Sequence, residues 1–116
     1  MRINPFKAVV ADVMRHRGVR GAFVVAATDG IPIAATLEYG VDGDAVAALA
    51  ASLYQRAGAS AAAAGHGAAS FVQLEGDNGW LCVTGRDDFV LAAVAEPRVN
   101  VALLRLTLLR ARERLT

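Results

Sequence analysis

Residues 69–95 read ASFVQLEGDNGWLCVTGRDDFVLAAVA. Residues 69–75 alternate, with Phe71 and Gln73 on one face and Ser70, Val72 and Leu74 on the other, the period of two that marks a strand. Gly76-Asp77-Asn78-Gly79 supplies a turn and residues 80–84 return. Gly85-Arg86-Asp87-Asp88 turns again into residues 89–95. Glycine with Asn or Asp between apolar runs is the local chemistry of hairpins. The last run, FVLAAVA, has no polar alternation, the pattern of a strand buried on both faces.

A second run of that kind lies upstream, at residues 22–27. Asp29-Gly30 is a turn signal, and residues 31–37 form the returning strand. Pro32 lacks an N–H and suits a strand start or an edge. Three hairpins therefore join strands 1 to 2, 3 to 4 and 4 to 5. A single sheet requires one more pairing, and the two doubly buried strands, 1 and 5, belong inside. The expected order is 2-1-5-4-3, in an α+β domain with a five-stranded antiparallel sheet and helices on both faces.

The helices complete an αββαβββα order. Asn4-Pro5 opens the first, since Asn caps well and proline at the first position loses no bonded N–H. Phe6, Val9, Val10, Val13 and Met14 make its apolar stripe, and Gly18 stops it. Pro97 marks entry to a last helix reaching about residue 115. One side there is Ala102, Leu103, Leu106 and Leu109, another is Val101, Leu104, Leu108 and Leu115, and arginines gather toward the end.

The middle helix differs. Asp42 or Asp44 caps it, and Val46, Leu49, Ala50, Leu53, Ala57, Ser60, Ala61 and Ala64 are its expected main stripe. The other faces are almost as poor in charge, with Arg56 the sole charged residue across 45–65. Surface helices normally set an apolar stripe against charged residues. A helix greasy nearly all round needs cover on more than one side, and a flank of this length exceeds what a monomer ordinarily exposes. Symmetric contact with a twin helix answers the need.

Composition excludes several classes. A chain of 116 residues is one domain. Twelve basic against eleven acidic residues leave a net charge of +1, too little for a whole-protein attraction to nucleic acid or anionic lipid. Cys82 is the single cysteine, so an internal disulfide is impossible and a reducing, cytoplasmic setting is expected. The first residues contain no apolar core of a secretory signal. The apolar tract at 45–64 has Gln55 and Arg56 at its centre, and a central Arg costs about 2.5 kcal/mol or more on insertion. Membrane insertion is not expected.

Candidate chemistry is sparse. His16 and His66 lack neighbours at metal-ligand spacing, and Ser52, Ser60 and Ser70 lie in apolar surroundings without an evident base. Glu38, Glu75, Asp87, Asp88 and Glu96 fall near strand ends and turns, where solvated charge is the default. Gly65-His66-Gly67 follows a helix, the reverse of a phosphate loop's context, and Lys7, the only lysine, follows no glycine-rich run. Arg105, Arg110, Arg112 and Arg114 read as a solvated helix end. Trp80 and Tyr54 fit equally as interface anchors or core residues. No catalytic residue, cofactor or metal site is expected.

As an ordered set, several segments carry a resemblance: Gly18-Val19-Arg20-Gly21-Ala22 leading to Asp29-Gly30, then Tyr39-Gly40 before Asp44-Ala45-Val46-Ala47-Ala48 and Ser52-Leu53-Tyr54. Gln73-Leu74-Glu75, Gly79-Trp80-Leu81-Cys82-Val83, Phe89-Val90-Leu91-Ala92 and the Leu/Ala/Arg-rich final helix continue it. Across nearly its whole length the chain resembles a roadblock/dynein light chain family domain, of roadblock/profilin-like fold. It is similar to bacterial gliding-motility B-type proteins and to roadblock proteins encoded beside small GTPases. The resemblance implies a homodimer paired through the second helix and third strand. The corresponding positions here are Leu49, Ser52, Leu53, Arg56, Ala57 and Ser60 on the helix, with Phe71, Val72, Gln73 and Leu74 on the strand. It further implies a small Ras-like GTPase as partner, regulated without a donated catalytic arginine. A small-molecule-sensing domain of profilin-like architecture is the alternative, and needs a cavity with convergent polar groups.

Overall fold

The computed structural model describes residues 4–38 and 40–115. Tyr39, part of the resemblance above, and the first three residues lie outside them. In chain order the elements are α1 (Pro5–Met14), β1 (Val19–Ala26), β2 (Pro32–Leu37), α2 (Gly43–Ala63), β3 (Val72–Gly76), β4 (Gly79–Arg86), β5 (Phe89–Ala95) and α3 (Val101–Arg112). The five strands form one antiparallel sheet in the order β2-β1-β5-β4-β3. This is the expected α+β architecture and strand order.

The central pairing runs from Gly21 opposite Val94 to Ala26 opposite Phe89. Cross-strand partners share a face, so the register sorts the core into two halves. Ala22, Ala93 and Cys82 face one way, with Val24 and Leu91 beside them, under α1 and α3. Phe23, Ala92 and Val83 face the other, with Val25 and Val90, under α2. Phe23, Leu91, Leu104 and Leu108 are fully buried. Thr84 is the one buried polar residue among those described, and its hydroxyl donates to the Ser70 carbonyl at 2.7 Å, as a buried hydroxyl requires.

Helix boundaries follow the caps. Asn4 accepts from the Phe6 N–H at 2.9 Å, Asp42 from Ala45 at 3.2 Å and Asn100 from Leu103 at 3.0 Å. Asp42, not Asp44, is thus the cap of α2. The last helix begins at Val101 rather than at Pro97, because Asn100 offers the capping oxygen that proline lacks. The third strand begins at Val72, three residues later than its alternation implies, while Thr84 and Arg112 draw on the Ser70 carbonyl.

The apolar stripe of α2 overlaps the expected one at Ala50, Val46 and Leu53, which pack on the core, but is rotated toward the alanines. Ala47, Ala50 and Ala51 are its buried residues, whereas Leu49 is 66% exposed. Hydrophobicity barely varies around this helix, so contact with the sheet is set by size. Alanines bring the helix close, and Tyr54 reaches over Gly85, where an added Cβ would stand 2.7 Å from the ring. The hairpin tip meets the same helix at Gly30, whose φ of +70° and 3.0 Å approach to the Ala48 Cα both call for glycine.

On the opposite layer α1 packs on β1 and β2, α3 on β4, and the two helices touch. Asp12 of α1 pairs with Arg114, just past α3, and with Arg15 at 3.0 Å. The Arg114 hydrogen bond, aided by the charges of Arg114 and Arg15, holds the Asp12 carboxyl below its ordinary 3.8.

Gly85→Val should destabilise the fold by ~1–3 kcal/mol through overpacking against Tyr54. Leu108→Ala should cost ~2–5 kcal/mol through a core cavity. Urea denaturation of each variant measures both. The folded chain keeps Asp12 ionised to lower pH than the unfolded chain does. Its contribution is therefore present above about pH 4 and lost as pH falls through the folded-state value. Asp12→Asn should flatten the acid limb of a melting-temperature profile.

Candidate interaction surface

A single helix is about 10 Å across, whereas five strands spaced about 4.8 Å apart span about 19 Å between the outermost. Two helices cover the α1/α3 side of the sheet. α2 alone cannot cover the other, and it packs mainly on β1, β2, β4 and β5, leaving β3 exposed beyond Val72. There a cleft of about 360 Å³ opens between Leu49, Ser52, Leu53 and Arg56 of α2 and Leu74 and Leu81 of the sheet. Leu74 and Leu81 are cross-strand partners and so point to the same side. Leu49 and Leu74 are 66% and 47% exposed, and Leu53 and Leu81 half-buried. The cleft runs along β3, an edge strand whose outer N–H and C=O groups have no sheet partner.

Local contacts hold this surface in shape. The Tyr54 hydroxyl donates to the Ala69 carbonyl at 2.9 Å, with a longer contact to Gly85 at 3.5 Å. The Gln55 amide donates to the Ala27 carbonyl. Both fasten the second half of α2 to the strand ends. Beyond Arg56 the outward residues Ala59, Ala62 and Ala63 are exposed and small.

Of the ten expected contact positions, the structure gathers Leu49, Ser52, Leu53, Arg56 and Leu74 around one cleft. Val72 packs in the same layer, and Ala57 and Ser60 lie further along α2, half-buried and exposed. Phe71 and Gln73 are not in the cleft. Phe71 packs with the α1/α3 core, with the Arg105 guanidinium 5.0 Å above its ring. Gln73 pairs with Cys82, which belongs to that core. Leu81 is the residue that sequence reasoning missed. Counting back from the Gly76–Gly79 turn sets it opposite Leu74, which was signal enough to find it.

The remaining candidates are dispersed. His16 Nδ1 lies 3.2 Å from the Arg17 carbonyl, and its buried Nε2 has no hydrogen-bond partner among the described residues. His66 is exposed beyond α2. Among the described residues no three His, Cys, Asp or Glu side chains cluster as metal ligands would. Trp80 packs on the α1/α3 core with its indole N–H 3.4 Å from the Pro97 carbonyl. Cys82 is fully buried, and burial pushes its thiol up to about 11. The buried positions of the sheet are filled by Phe, Leu, Val and Ala together with Cys82 and Thr84. No described helix is long and apolar enough to cross a membrane.

The profile of the Roadblock/LC7 domain family matches residues 5–96. Uncharacterized protein MJ1340 of Methanocaldococcus jannaschii is 30% identical over 107 residues, 92% of this chain and 93% of its own. The solved structure of Myxococcus xanthus MglB superposes with a TM-score of 0.86 at 22% identity, covering 100% of this chain and 95% of that one. A structure described as MglB with a tetrameric arrangement gives 0.85 at 21% identity, covering 99% and 90%.

Since the thiolate is the reactive form, Cys82 should resist iodoacetamide in the folded protein at neutral pH and label at once in denaturing urea. Mass spectrometry of the two samples makes the comparison, and prompt native labelling would contradict the burial.

Proposed function

The chain belongs to the Roadblock/LC7 domain family, and from that premise we propose that it is a non-catalytic homodimeric scaffold or regulator of a small Ras-like GTPase. The observation that carries the dimer is the exposed apolar cleft between α2 and the open edge of β3. A two-fold axis beside that edge would let β3 continue into the partner's sheet while each α2 lends its alanine-rich flank to the other. Leu49, Leu53 and Leu74 would leave water, with Ser52, Arg56, Ala57, Ser60 and Val72 around them. Phe71 and Gln73 would then take part through the strand backbone, on the far side of the joined sheet. Burial of this kind is the ordinary answer to an apolar patch on a small domain. A solved MglB relative with a tetrameric arrangement is in keeping with self-association.

The GTPase partner follows from the family resemblance. The protein acts by contact and not by chemistry of its own, in the cytoplasm, and without cofactor, nucleic acid or insertion of a membrane-spanning segment. A sensing domain has less support, because apolar side chains occupy the buried positions of the sheet save for Thr84.

Light scattering at micromolar concentration should return twice the chain mass. Leu53→Asp or Val72→Asp, both half-buried, should destabilise the protein or yield monomer. Leu49→Arg and Leu74→Asp, which are more exposed, should give folded monomer with an unchanged circular dichroism spectrum. A wild-type mass of one folded chain would sink the dimer. Mixing the protein with the Ras-like GTPase encoded nearest to it, loaded with GDP or GTP, should shift elution or change hydrolysis. No effect with either nucleotide counts against the GTPase assignment alone.

A further inference from the structure

The near-zero net charge of this chain conceals a sorting by layer. α1, α3 and the turns beside them, residues 5–18 and 96–115, carry eight Lys and Arg against three carboxylates, Asp12, Glu96 and Glu113. All other described residues carry three Arg against eight carboxylates. One layer therefore has a net of five positive charges and the remainder a net of five negative. Two of those three carboxylates are already engaged, Asp12 with Arg15 and Arg114, and Glu113 with Arg86 and Arg112, while Glu96 lines one cleft with Arg17 and Arg98. Lys7, Arg17, Arg98 and Arg110 are in no ion pair among the described residues and face solvent.

The same layer exposes leucine. Leu103 and Leu106 of α3 are 51% and 49% exposed, while Leu104 and Leu108 on the inner side are fully buried. Arg105 and Arg110 lie on the same helix, and Leu103 borders a cleft of about 720 Å³ whose other walls are His16, Arg17, Glu96, Arg98 and Asn100. An amphipathic partner helix seeks an apolar groove, which a cleft walled by charged and polar side chains with one leucine does not offer. Nucleic-acid phosphates would accept the arginines but gain nothing from the leucines. A bilayer surface suits both, since headgroup phosphates attract Lys and Arg and the acyl boundary receives shallow apolar side chains.

We propose that the α1/α3 face is a docking surface for an anionic lipid bilayer. The domain lies on the membrane without crossing it, Leu103 and Leu106 dip below the headgroups, and the unpaired cations hold the phosphates. Each protomer carries this face whether or not it dimerises. In a dimer joined through α2 the two basic faces would both lie on the side opposite the α2 pair, which doubles the charge presented to one surface. The α2 and β3 cleft stays clear of the bilayer in either case.

Co-sedimentation with vesicles tests the proposal. The full chain should bind phosphatidylcholine vesicles in which about one third of the lipid is phosphatidylglycerol, and ignore pure phosphatidylcholine. Binding should fall ~10-fold between about 0.05 M and about 0.5 M salt. Arg98→Glu with Arg110→Glu should abolish it, and Leu103→Gln with Leu106→Gln should weaken it ~10-fold without lowering the melting temperature. Wild type that ignores anionic vesicles overturns the proposal, as does binding untouched by both double variants. Equal affinity for soluble polyglutamate would assign the face to an acidic protein instead, and equal affinity for duplex DNA to nucleic acid. Light scattering of the same proteins without vesicles reports dimerisation separately, so either idea can fail alone.

Discussion

Everything in this molecule depends on β1 and β5 lying side by side with both faces dry. Phe23, Val24, Val25, Val90, Leu91 and Ala92 admit no water on either side, so the sheet must be covered twice. Backbone groups are satisfied by the antiparallel ladder, and the alternation of side chains then feeds two separate cores. Nothing else in the chain could form a stable interior if this pair did not.

The two covers are unequal, and the inequality points to function. α1 and α3 together span their side of the sheet and close it with valine and leucine. α2 spans only part of the other side and approaches it through alanines. Tyr54, not a row of large apolar side chains, secures its second half. What is left bare lies where α2 meets the free edge of β3, so an unfinished core and an unpaired strand edge coincide. One contact could complete both, and this physical coincidence is what recommends that surface over any other for self-association.

Much of this was legible in the chain. The turns at Asp29-Gly30, 76–79 and 85–88 and the two unbroken apolar runs fixed the strands and their order, because hairpin chemistry and double burial are local properties. Capping by Asn4 was equally local. Where local signals mislead, the cause is uniformity. Of the stripe through Val46, Leu49, Ala50 and Leu53 on α2, Leu49 faces water while the others pack on the sheet side, and the closest seats go to Ala47, Ala50 and Ala51. Pro97 resembled a helix start until Asn100 offered a better cap.

Sequence alone determined the elements, the order 2-1-5-4-3 and the presence of one helix too apolar to stand in water by itself. Alternation, turn residues and charge depletion are written along the chain and need no distant partner to be read. Only the tertiary structure decided which flank of α2 stays wet and which helical layer each face of β3 meets. It also decided that a net charge of +1 is divided into a basic face and an acidic remainder. A sum over residues carries no direction, and a helix of nearly uniform apolarity has no preferred side until the sheet beneath it selects one.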